Sequence, residues 1–182
     1  WKEAPDSEDT VAELCECLRD CAEYHVPVMV AHAFIGFEEH SPNEIGVRNF
    51  GRVVDEAERL GVKLALENTE GIEYLARLFE AFSDRECVGF CWDTGHEMCY
   101  NWSEDVVGRF GQNGKLFATH LNDNLGIRDF EGKITWIDDL HLLPFDGIAD
   151  WKGIAERLDR AGFDGTMTFE LNTKSKPGRH EN

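Results

Sequence analysis

The sequence has no apolar run approaching the roughly 18 to 20 residues that a membrane span needs. Its first residues, Trp1-Lys2-Glu3-Ala4-Pro5-Asp6, lack the basic-then-apolar order of a secretory signal. Both absences lead to the expectation of a soluble, cytoplasmic protein with no membrane partner. Basic residues are scarce: 18 Lys+Arg stand against 36 Asp+Glu, a formal net charge of -18. A chain this acidic repels polyphosphate backbones unless a basic stripe or bound cations intervene, which disfavours nucleic acid as a partner. The six cysteines (Cys15, Cys17, Cys21, Cys87, Cys91 and Cys99) form no C-x-x-C pair and read mostly as buried thiols, not as a disulfide framework. Cys17 and Cys21, four apart on an expected helix, leave a soft-metal site open as the lesser reading. An initiator Met is missing too, which fits a processed chain or part of a longer one.

What remains is a chain of 182 residues, 42% hydrophobic and 30% charged, enough for one sizeable core and too little for two ordinary domains. A single domain over 1–182 is the expectation. No low-complexity tract or flexible linker interrupts it, and helix-like and strand-like segments alternate along its length. Residues 8 to 24 place Val11, Leu14, Leu18 and Ala22 on one helical stripe, and Val26 to His32 is a short apolar strand. Ser41-Pro42-Asn43-Glu44 predicts a helix start with Ser41 as cap and Glu44 closing a capping box. The inner face of that helix is Val47, Phe50, Val53, Val54, Ala57 and Leu60, and Gly61 stops it. A strand over 62–67, a helix through Ile72, Leu75, Ala76, Phe79 and Phe82, a strand over 88–93 and a helix near Ser103 to Phe110 follow. The remaining elements are a strand over 116–120, a helix from Asp150 ended by Gly162, and a strand over 165–170.

Strands that alternate with helices and are nearly continuous in apolar residues predict a parallel sheet covered by helices. No G-x-G-x-x-G or G-x-x-x-x-G-K-[ST] follows any strand, which removes the main support for a nucleotide-binding open sheet. Five βα units are visible, where a closed barrel needs eight. The chain is therefore expected to be an incomplete barrel.

Each of the five expected strands ends in a residue able to bind metal: His32, Glu67, Asp93, His120 and Glu170. A polar residue at a strand end is often only a loop start or a helix cap, and for any single one of the five that reading stands. All five, drawn only from His, Asp and Glu, point to a shared site, because parallel strands deliver their C-termini to one face. Glu67, Asp93, His120 and Glu170 would give an oxygen-rich shell suited to Mn²⁺ or Mg²⁺ and tolerable for Co²⁺ or Zn²⁺. Four ligands on an ion that accepts six leave two adjacent positions for the oxygens of a hydroxyketone.

Several segments together resemble the xylose isomerase-like TIM barrels, the sugar phosphate isomerase/epimerase family. They are Leu64-Ala-Leu-Glu67-Asn68, Trp92-Asp93-Thr94-Gly95-His96, Thr119-His120-Leu-Asn-Asp123, His141 through Trp151, and Gly165-Thr-Met-Thr-Phe-Glu170. The resemblance covers most of the chain and implies a (β/α)8 barrel of which these would be the fourth to eighth strands. It also implies a divalent metal held by Glu67, Asp93, His120 and Glu170, with both glutamates as catalytic acid/base groups passing a proton through an enediolate. The expected substrate is a small-molecule sugar or sugar phosphate, and a homo-oligomer is a candidate state.

By the same resemblance His96 would bond a substrate oxygen, with Arg128, His32 and His141 as further substrate-binding candidates; a buried structural histidine and a solvated arginine are the plain alternatives. The long connection from Leu121 to Asp150 suits a substrate-covering loop. Asp139 and His141, with His32, make a candidate second metal group of the kind found in type IV apurinic endonucleases. That relation implies the rival reading, zinc-dependent phosphodiester cleavage, which the charge of -18 opposes. A binding or subunit barrel that keeps the ligands without turnover is the third. Lys174, Lys176 and Arg179 form the one tight basic cluster in the sequence and are read as surface charge.

Overall fold

The apolar runs at the centre of the sequence pair with one another in the computed structural model, which describes residues 1–37, 41–127 and 134–172. The elements are α1 (Asp6–Glu23), β1 (Val28–His32), α2 (Glu44–Leu60), β2 (Lys63–Glu67), α3 (Ile72–Phe82), β3 (Val88–Asp93), α4 (Thr94–Cys99), α5 (Val106–Phe110), β4 (Leu116–His120) and α6 (Trp151–Ala161). The four strands form one sheet in the order β1-β2-β3-β4, and every pair is parallel. Sequential neighbours joined by helical crossovers give this arrangement, so all strand C-termini reach the same edge.

Period two divides each strand between two faces. Leu64, Leu66, Val88, Phe90 and Trp92 enter the main apolar cluster with Val53, Val54 and Ala57 of α2 and Leu75, Leu78 and Phe79 of α3. The alternate positions, Ala65 and Glu67 on β2 and Cys91 and Asp93 on β3, are buried on the opposite face. The register sets His32 beside Glu67, Glu67 beside Cys91 and Asp93 beside His120. His32, Glu67 and Cys91 therefore share one level of the sheet, and Asp93 and His120 the level two residues further on.

Three expectations are corrected. The cap of α2 is Asn43, not Ser41: its Oδ1 accepts from the Gly46 N–H at 3.0 Å while its Nδ2 donates to the Trp1 carbonyl at 2.9 Å. Gly46 then holds the third helical position, so Glu44 closes no box. The segment near Ser103 begins its helix only at Val106, capped by Asp105, and α4 precedes it as a separate helix of six residues. The expected strand over 165–170 is reduced to one parallel bridge between Leu121 and Phe169, carried by Leu121 N–H to Thr168 O (2.8 Å) and Glu170 N–H to Leu121 O (3.2 Å). Strand geometry is sustained by neighbours on both sides, and among the described residues this segment is paired on one side only.

The glycine stops hold: Gly61 and Gly162 close α2 and α6 with φ of 69° and 67°, a conformation that costs other residues. All six cysteines are free, Cys91 and Cys99 buried and Cys17 exposed. No helix among the described residues is long and apolar enough to cross a membrane.

Candidate metal centre

Glu67, Asp93 and His120 are the last residues of β2, β3 and β4, and Glu170 follows the Phe169 bridge. One ligand atom from each of the four lies within 4.8 Å of the others. His120 Nδ1 stands 3.2 Å from Glu67 Oε2 and 3.0 Å from Glu170 Oε2. The side chains of Glu67 and Asp93 are 1% and 0% exposed, and that of Glu170 is 51% exposed, so one carboxylate of the group borders solvent.

Asp93 is fixed from three directions. Its Oδ1 caps α4 by accepting from the His96 N–H at 2.7 Å, and its Oδ2 accepts from Asn122 Nδ2 at 2.9 Å. Its backbone pairs with the Asn68 side chain, Asp93 N–H to Oδ1 at 2.8 Å and Nδ2 to Asp93 O at 2.9 Å. Asn122 is held by Thr94, whose hydroxyl donates to the Asn122 carbonyl (2.6 Å) and accepts from its N–H (2.9 Å). A Cβ on Gly95 would come within 1.9 Å of Asn122 Oδ1, so glycine is the residue this approach allows. The run Asp93-Thr94-Gly95-His96 is thus one device: strand end, cap, close contact and imidazole.

Burial pushes the Glu67 carboxyl up, but the imidazoles of His120, His32 and His96 outweigh it and hold it far below the usual carboxylate range. Burial raises Asp93 and lowers His120, where contacts with Cys91, Glu170 and Glu67 prevail and push the imidazole well above its ordinary value. Protons on imidazole balance the carboxylates in this arrangement; a divalent cation supplies the same balance from the centre. The donor atoms fit one: both Glu67 oxygens and His120 Nδ1 are buried and have no hydrogen-bond partner.

His32 Nε2 lies 3.3 Å from Glu67 Oε2, on the β1 side. His96 Nδ1 donates to the Asn68 carbonyl at 2.9 Å and stands 3.3 Å from Glu67 Oε1; its Nε2 lies 3.3 Å from Asp139 Oδ2. His141 Nε2 approaches the same Asp139 oxygen at 2.8 Å, and its Nδ1 donates to the Glu170 carbonyl at 3.1 Å. His96, Asp139 and His141 therefore form a second trio within 4.8 Å. It takes His96 where the sequence suggested His32: the β1 end is registered on Glu67, whereas the segment after β4 reaches over α4. Burial lowers His141, yet Asp139 raises it to about 9.

That segment is anchored by Asp123, whose carboxylate accepts from the Phe145 and Ala149 N–H groups at 2.9 Å and from Trp151 Nε1 at 3.0 Å. Arg128 lies outside the described residues, as do Lys174, Lys176 and Arg179. Cys91 is the neighbour that the sequence reading passed over, joining Glu67 and His120 in a further trio within 4.8 Å. Its spacing of two before Asp93 is the signal that marks it.

The family model of the xylose isomerase-like TIM barrel matches residues 2–182. The chain is 33% identical over 130 residues to the uncharacterised protein y4fM of Sinorhizobium fredii, covering 68% of this chain and 38% of that one. It is 28% identical over 148 residues to a probable endonuclease 4 of Methanoculleus marisnigri, covering 68% of this chain and 52% of that one. It thus spans about half or less of the curated relatives it matches. The solved structure of a D-tagatose 3-epimerase-like protein superposes with a TM-score of 0.71 at 22% identity, over 90% of this chain and 62% of that one. With parallel strands, helical crossovers and acidic and imidazole side chains gathered at the strand C-termini, as far as the described residues extend, the chain belongs to the xylose isomerase-like TIM barrel family.

Proposed function

We propose that the chain carries the metal centre of a sugar isomerase or epimerase, with Glu67, Asp93, His120 and Glu170 as ligands to one divalent cation and Glu67 and Glu170 as the groups that move protons. One observation carries the reading: the four donor side chains converge, and Glu67, with 1% of its side chain exposed, has two buried oxygens that make no hydrogen bond. The neighbouring D-tagatose 3-epimerase-like structure and the family itself support sugar as the substrate class. The oxygen-rich set by itself suits Mn²⁺ or Mg²⁺ and accommodates Co²⁺ or Zn²⁺.

When bound, such an ion withdraws electron density from a carbonyl oxygen and so makes the adjacent C–H acidic enough for a carboxylate. Glu67, dry and fixed, takes or delivers a proton from the sheet side. Glu170, at the solvent border, serves the opposite role. Return on the opposite face of the same carbon gives an epimer; return to the neighbouring carbon exchanges aldose and ketose. His96 and His32, each 3.3 Å from a Glu67 oxygen, and His141, 2.8 Å from Asp139, are the candidates to orient substrate hydroxyls.

A second reading has its own observation. Both His96 and His141 use Nδ1 on backbone carbonyls and turn Nε2 toward Asp139, the arrangement that prepares imidazoles for a further metal ion. Several ions would suit phosphodiester cleavage, as the name of the Methanoculleus relative suggests for that protein. Offering the protein a panel of ketoses in deuterated water and, separately, an abasic-site duplex decides between the two. Deuterium at a carbon beside the carbonyl supports the isomerase, strand scission supports the nuclease, and neither, with metal bound, leaves a binding subunit.

A further inference from the structure

Cys91 stands two residues before Asp93 on β3 and in register with Glu67, so its thiol points to the sheet face that carries both carboxylates. It is 0% exposed. Its sulfur, one Glu67 oxygen and one His120 nitrogen lie within 4.8 Å of one another, a spread that a single ion can bridge. A buried cysteine alone is ordinary core material. Here it faces ligand atoms that neighbouring charged groups approach without a hydrogen bond: both Glu67 oxygens and His120 Nδ1 are buried and make none.

We propose that Cys91 is a ligand of the metal centre, forming its inner half with Glu67 and His120, and that its thiolate selects Zn²⁺ or Co²⁺ over Mg²⁺ and Mn²⁺. The inference rests on the metal-centre reading above and names the class of ion. A set of one sulfur, one imidazole nitrogen and carboxylate oxygens is a zinc donor set, whereas Mg²⁺ prefers oxygen and keeps its waters. Asp93 and Glu170 belong to the four-residue group, which shares Glu67 and His120 with this trio. The balance is simple: the metal–sulfur bond replaces the S–H bond, and one proton leaves to solvent for each ion bound. No electron is transferred.

The test uses the metal-free protein titrated with Co²⁺ alone, after blocking the exposed Cys17 with iodoacetamide. Visible d–d absorption reports occupancy, and a near-ultraviolet thiolate-to-cobalt band reports sulfur in the shell. The wild-type protein should show both, and Cys91→Ser should keep the visible bands, lose the ultraviolet one and reduce the preference for Zn²⁺ over Mg²⁺ roughly tenfold or more. Visible bands without the ultraviolet band in the wild-type protein would overturn Cys91 as a ligand and leave the four-residue centre standing. No Co²⁺ uptake would remove both. Cys91→Ala is the second variant should Cys91→Ser fail to fold, and Cys15→Ser, Cys21→Ser, Cys87→Ser and Cys99→Ser, which alter the other free thiols, should each leave the ultraviolet band intact; a band lost in any of these four instead of in the Cys91 variant would overturn the assignment.

Discussion

Glu67 sits at the end of β2 with 1% of its side chain exposed and with His32, His96 and His120 at 3.3, 3.3 and 3.2 Å from its oxygens. So much charge in so dry a place is expensive unless something cancels it; the imidazoles do so in part, and a cation on oxygens that make no hydrogen bond would complete it. Glu170 differs in being half exposed, so its charge can be changed with little effect on packing. Glu170→Gln should therefore unfold at nearly the wild-type temperature while turnover falls about 10²- to 10⁴-fold, measured as proton exchange on the substrate. Near-normal turnover in that variant takes Glu170 out of the chemistry. Gly95 carries the complementary prediction. A methyl group there meets Asn122 within 1.9 Å and drives it off Asp93, so Gly95→Ala should lose about 1 to 3 kcal/mol of stability and bind metal about 10- to 100-fold more weakly. Calorimetry of unfolding and of metal titration reads both, and a variant with unchanged affinity would show that Asn122 does not steady the ligand.

At the level of elements, the sequence revealed those whose apolar pattern repeats. Strand runs such as Val62 to Glu67 and the long faces of α2 and α6 declare themselves because burial sets their period. The metal candidates were legible for a related reason: in parallel strands a polar residue at the C-terminal end of each run shares an edge with the others. Shorter features escaped. The six residues of α4 are too few for a helical period, and only the Asp93 cap marks their start. The terminal strand was over-read because Met167 and Phe169 look like sheet residues, yet they stay 60% and 48% exposed with one bridge to hold them. The grouping of His96, rather than His32, with Asp139 depends on where a loop crosses a helix, which no local pattern encodes.

That loop makes a prediction of its own. The His141 imidazole, raised from 6.5 to about 9 by Asp139, stabilises the metal-free fold fully below about 6.5, and this contribution is lost as the pH rises through about 9. The unfolding temperature measured in chelator should fall across that window, and His141→Gln should flatten the fall. An equal slope in wild type and variant would mean that the pair does not hold the loop.

On the scale of the whole molecule, the formal charge of -18 means that compaction works against self-repulsion, and a divalent cation bound among Glu67, Asp93 and Glu170 would relieve part of it. Ligand linkage sets the size of the effect: at a hundredfold excess of free ion over the dissociation constant, binding adds about 2.7 kcal/mol. Zn²⁺, Co²⁺ or Mn²⁺ should therefore raise the unfolding temperature by several degrees, and chelator should reverse the rise. An unfolding temperature indifferent to all of these and to chelator would contradict the fit between the donor set and a cation.

Whether distant strand ends share one ion is answered most directly by anomalous diffraction from crystals grown with Mn²⁺ or Zn²⁺. One strong peak is expected within bonding distance of Glu67, Asp93, His120 and Glu170. A fully occupied peak elsewhere, or ordered side chains at these four positions with no peak among them, would contradict it.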